Sequence, residues 1–214
     1  MSRSPYLVKK SRIQQENEAI ILPAALHVFS RKGFKGTTMA DVADQAGLPK
    51  GNLFYYFSSK QALYQTVLEH ILEDWMTPLD SLHASADPRE ALEQYVRQKM
   101  AFSFEHADAS RLFAGEMLQG AQSLRGALTG MLKQRVAEKV EVLKGWIVQG
   151  QLRALDCEHF FFTLWSMTQT YADFAVQVEA VLGQCIKEET ARERAVQHVL
   201  DSVFRMCGLE RSVM

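Results

Sequence analysis

Apolar positions along this chain recur at intervals of three and four residues and almost nowhere alternate one by one. That is the period of a helix. No hairpin dipeptide sits between alternating runs, so the predicted fold is all-α, with about nine helices. The first predicted helix runs from about Glu16 to Lys32, burying Ile20, Ala24 and Phe29, with a kink at Pro23 and a stop at Gly33. Thr38 is placed to cap a short second helix ending near Gln45. Gly47 supplies a tight turn, and Pro49 opens a third short helix that ends near Tyr56. Ser58 or Ser59 starts a long fourth helix through Leu63, Val67, Ile71 and Trp75, stopped by Pro78. The run Asp87-Pro88-Arg89-Glu90 puts an acid at the cap, proline first and an acid third, a strong helix start. That helix is expected to reach Glu105. Others are expected over roughly 108–119, 122–149, 157–182 and 188–207, the last three closed by Gly150, Gly183 and Gly208.

The pattern divides into a basic flexible arm (1–16), a small head (17–60) and a helical body (61–214). With 214 residues, 47% of them hydrophobic, there is enough apolar material for a head and one body core. The net charge of -1 hides an asymmetry. Residues 1–60 carry 9 Lys+Arg against 4 Asp+Glu, a net of 9 − 4 = +5, while residues 61–214 carry 15 against 21, a net of 15 − 21 = −6. A basic end on an acidic body points to a polyanion as partner of that end. Cys157, Cys185 and Cys207 are odd in number and widely spaced. They read as reduced thiols of a cytoplasmic protein. Met1–Arg12 lacks the apolar core of a leader, and no apolar run approaches the roughly 20 residues that span a bilayer, so no membrane partner is expected.

The stretch Phe34–Lys60, FKGTTMADVADQAGLPKGNLFYYFSSK, reads as a helix-turn-helix. Ala43 and Gly47 are small where two helices cross, and Val42, Leu48, Leu53 and Phe57 have the spacing of a minimal core. Left outward on the second helix are Lys50, Asn52 and Tyr56, with Gly51 allowing close backbone approach. Lysine can donate to guanine or phosphate, and an asparagine amide can pair with adenine. Tyr56 and Lys60 suit phosphate anchoring, whereas Phe57 and Tyr55 read as core aromatics. These residues resemble the signature of the TetR-type repressors. The resemblance implies that Thr37, Thr38, Lys50, Gly51, Asn52, Tyr56 and Lys60 lie at a DNA surface. It also implies a homodimer, paired through its last two helices, on an inverted-repeat operator of double-stranded DNA. Pro49 departs from the family, which more often has a capping serine there.

In the body, ILEDWMTPL (71–79), ASRLFAGEMLQGA (109–121) and LWSMTQTYADFAVQVEAVLG (164–183) resemble the pyrimidine-utilisation regulators of that family. The implied effector is a small molecule, uracil or thymine, that controls pyrimidine catabolism. A flat ring with two N–H donors and two carbonyls asks for aromatic faces and a side chain that both donates and accepts. Trp165, Gln169 and Asp173 share a helix face at i, i+4 and i+8, and Trp75 ends the helix that leaves the head. Arg111 and Glu116 are further candidates. Thr170 stands where that resemblance implies a larger polar residue. On α-helical spacing, Val196, Val199, Leu200, Val203 and Phe204 form an apolar stripe expected to pair with a second copy.

The six histidines are scattered, and no H-E-x-x-H, G-x-S-x-G or phosphate-binding glycine loop occurs, so no catalytic residue, metal or cofactor is expected. A regulator of some other small molecule, or a DNA binder without a ligand, remains as the alternative.

Overall fold

The computed structural model describes residues 12–209, so most of the arm expected over 1–16 lies outside the described residues. Among those described the fold is helical with no strand, as expected. It forms two compact units that meet between Val67 and Leu68. That division lies inside a helix rather than at the 60/61 junction.

The first unit holds α1 (Arg12–Gly36), α2 (Met39–Ala46), α3 (Lys50–Tyr56) and the start of α4 (Lys60–Met76). Helix α1 begins at Arg12, so residues 12–16 belong to it and not to an arm. It stays helical through Pro23 and leaves helical angles only at Gly33, at φ 67 and ψ 172. Pro23 and Ala19, whose carbonyl loses its partner to the proline, are both exposed, so water can meet that carbonyl. Ile20 is 50% exposed, against expectation, and Ile21 is the buried neighbour. Around Ile21 close Ala25, Phe29, Val42, Leu53 and Leu63, all at 0% exposure.

The second unit continues α4 into a 3-10 turn (Thr77–Ser81), then α5 (Pro88–Glu105) and α6 (Ala107–Leu118). A single turn, α7 (Arg125–Ala127), passes through a π-helical segment (Leu128–Leu132) into α8 (Lys133–Val148). Then come α9 (Cys157–Asp173), α10 (Ala175–Leu182) and α11 (Glu189–Cys207). Helix α5 is central and packs against α6, α9 and α11. Its start is as read from sequence: the Asp87 side chain accepts from the Glu90 N–H at 3.0 Å, and Pro88 is the first helical residue. Two expectations are corrected. The helix expected over 157–182 breaks at Phe174 (φ -117, ψ 29), with no glycine or proline to mark the break. The α11 stripe is not free for a second copy: Val196, Val199, Leu200, Val203 and Phe204 are buried within the chain, because α5 and α9 already cover them.

Candidate nucleic-acid interface and effector cavity

In the head, the α2 start is held by a reciprocal cap. The Asp41 N–H donates to the Thr38 hydroxyl at 3.1 Å, and the Thr38 N–H donates to the Asp41 carboxylate at 2.8 Å. Lys32 reaches the same carboxylate at 2.7 Å. These bonds, Lys32 first and then Thr38, lower the Asp41 pKa to about 2. Gly47 closes α2 at φ 66, an angle that favours glycine. Pro49 precedes α3 and provides no side-chain cap, as its ring dictates.

With Leu53 and Phe57 turned into the core, α3 leaves Lys50, Gly51 and Asn52 exposed. A Cβ on Gly51 would meet nothing within 4 Å, so internal packing does not require the glycine. Thr38 is exposed beside this helix pair, and Tyr56 is half-buried, 5.1 Å from the Tyr55 ring. Tyr55 is 76% exposed rather than a core aromatic, and joins the outward polar edge.

Two residues assigned to that edge are placed otherwise. Thr37 is 1% exposed, and its hydroxyl donates to the Gly33 carbonyl at 2.8 Å. It seals the bend after α1. Lys60 is half-buried and donates to the carbonyls of Phe34 at 2.7 Å and Thr37 at 2.8 Å. Its ammonium also lies 4.4 Å from the Phe34 ring centroid. Two of its three N–H groups therefore satisfy the frayed end of α1, a structural task that competes with phosphate binding.

The body contains a cavity of ≈ 370 Å³. Four residues named from sequence line it together: Trp75, Trp165, Gln169 and Asp173. Trp165 is fixed by its indole N–H, which donates to the Tyr95 hydroxyl at 2.9 Å. Trp75 packs 4.7 Å from Phe113 and 6.0 Å from Phe102, yet its buried indole N–H has no partner among the described residues. Asp173 accepts from the Ser110 hydroxyl, and burial raises its pKa against the pull of Ser110 and Lys99. The π-helical segment adds Leu128 and Leu132, and the break after α9 adds Phe174.

Arg111 and Glu116 do not line this cavity. Arg111 is exposed and pairs with Asp108 one turn earlier. Glu116 is 8% exposed and accepts the Ser123 N–H at 2.9 Å. It braces the turn in which Gly120 and Ala121 take positive φ.

The residue that sequence reasoning missed is Lys99, 3% exposed on α5 and part of the cavity wall. Burial pushes its pKa down to about 7, with Asp173 opposing. Its ammonium lies 4.5 Å from the Trp75 ring centroid. A signal was present: Tyr95 and Val96 before it and Ser103 after it are buried at helical spacing, so Lys99 sits on the inward stripe of α5.

A helical head that presents a short polar helix, joined to a helical body with a lined cavity, defines the class of helix-turn-helix regulators with an effector domain. The model of the "Bacterial regulatory proteins, tetR family" matches residues 21–67, and that of the "YcdC-like protein, C-terminal region" matches residues 68–210. The chain is similar to the HTH-type transcriptional regulator RutR of Escherichia coli strain K12, 44% identical over 191 residues, covering 89% of this chain and 90% of that one. It is also 32% identical over 197 residues to the transcriptional repressor NicS of Pseudomonas putida, covering 89% and 91%. Among solved structures, the TetR family regulator PfmR of Thermus thermophilus shares the fold at a TM-score of 0.69 and 20% identity, covering 89% and 99%. The chain belongs to the TetR family of DNA-binding transcription regulators and is not an enzyme. No helix among the described residues is long and apolar enough to cross a membrane.

Proposed function

We propose that this regulator is a repressor whose body binds uracil or thymine and whose head then leaves its operator, controlling pyrimidine catabolism in the cytoplasm. The observation that carries the reading is the cavity. Its volume of ≈ 370 Å³ lies in the range of small-molecule sites, and two tryptophans and the amide of Gln169 line it. A flat imide needs aromatic walls and a group that both donates and accepts. The similarity to RutR over 89% of the chain supports the same effector class.

On DNA, Lys50, Asn52 and Tyr55 supply the groups that α3 would bring to a major groove, with Tyr56 and Thr38 beside them. A homodimer on an inverted repeat would hold two such helices ~34 Å apart. Exposed apolar side chains on α9 and α10, among them Phe162, Val176, Val181 and Leu182, would form that dimer rather than the α11 stripe. Helix α4 begins at Lys60 and carries Trp75 in its last turn. A ligand against Trp75 would therefore bias the helix that enters the head, and a coupling of about 1–3 kcal/mol gives a 5- to 150-fold change in operator affinity.

The test is a gel-shift titration of the full chain on the DNA upstream of its own gene, with uracil and thymine added. Release by either supports the reading. If neither changes affinity while another metabolite does, the pyrimidine assignment fails and the family assignment stands.

A further inference from the structure

An apolar cavity ordinarily has no lysine in its wall, because an ammonium without a partner is costly to bury. Among the described residues the Lys99 ammonium makes no hydrogen bond or ion pair; only the backbone carbonyl of this buried residue accepts, from Ser103. The ammonium lies against the face of Trp75, 4.5 Å from the ring centroid. The indole N–H of that same ring also lacks an acceptor among the described residues. One region of the wall thus offers a cation and a donor, and Asp173, the acid whose charge acts on Lys99, already accepts from Ser110. What is missing is an acceptor, best of all a negative one.

We propose that Lys99 is the specificity-determining residue of the cavity, selecting among planar cyclic imides those with the most acidic ring N–H and holding them as anions. This rests on the pyrimidine reading and deepens it. The ring N–H bond breaks, the ring keeps the electron pair, and the proton goes to the Lys99 amine to complete an ammonium. Burial holds the Lys99 pKa down to about 7, so near neutral pH part of the population has an amine ready to take that proton. The anion then lies against the new ammonium, with the Trp75 N–H as a second donor. The more easily a ring yields its proton, the tighter it binds.

The test is calorimetric titration of the full chain and of Lys99→Met with uracil, 5-fluorouracil and 5-nitrouracil, in order of rising ring N–H acidity. In the unaltered protein affinity is expected to rise by about tenfold or more across the series, the scale of a charge-assisted hydrogen bond. In Lys99→Met the series should be flat while the melting temperature is no lower. Uracil binding with no rise along the series, or the same rise in both proteins, overturns the proposal and leaves the pyrimidine reading intact. If none of the three binds the unaltered protein, the pyrimidine reading falls and the proposal with it. Should Lys99→Met not fold, the series on the unaltered protein decides alone.

Discussion

Replacing Lys99 with methionine should stabilise the protein, by an amount that depends on pH in a calculable way. A lysine ordinarily titrates near 10.5, whereas burial holds Lys99 down to about 7 in the folded chain. Between those values the unfolded chain carries a proton that the folded chain has given up. Stability therefore rises with pH across that window, and at or below neutral pH folding bears nearly the whole cost of the lowered pKa. Linkage puts this cost at about 4 kcal/mol at pH 7 and about 2 kcal/mol at pH 9. Methionine matches the length without the charge, so the variant escapes that cost. It also gives up the ammonium contact 4.5 Å from the Trp75 ring centroid, which is worth about 0.5–2 kcal/mol. The expected net gain is about 2–4 kcal/mol at pH 7, shrinking by about 2 kcal/mol at pH 9. Urea unfolding followed by circular dichroism at both pH values checks this, at one fixed protein concentration because association would shift the midpoint. An equal gain at both pH values, or a loss at pH 7, would refute the argument that Lys99 is held by burial in a depressed state.

Two further outcomes concern the head. Lys60→Ala should cost about 1–3 kcal/mol of stability, since the Phe34 and Thr37 carbonyls lose a charged donor; an unchanged melt with a salt slope lowered by about one would instead make Lys60 a phosphate contact. Asn52→Ala should cost about 1–3 kcal/mol at a single base position, whereas Lys50→Ala should lower the salt slope of operator binding by about one. Binding isotherms on a set of single-base operator variants at several salt concentrations separate the two, and identical behaviour would undo the division of roles.

What the sequence determined by itself is what depends on neighbours a few residues away. Thr38 with Asp41 and Asp87 with Glu90 begin helices where the reading placed them, because a cap closes within three residues. Gly47, Gly183 and Gly208 end helices for the same reason: the left-handed angle is a local demand. Trp165, Gln169 and Asp173 share a wall because helical spacing had already aligned them. The tertiary structure alone decided what depends on distant partners. Lys60 looks like a free cation until α4 brings it to carbonyls 23 and 26 residues back. Thr37 looks like a surface hydroxyl until the bend at Gly33 turns it inward. The α11 stripe looks available until α5 and α9 cover it. Lys99 shows no function in its own segment; it acquires one only where α5, α4 and α9 enclose a space that water cannot fill with counter-charge. Burial, unlike a cap or a period, belongs to the whole assembly of helices and not to any stretch of chain.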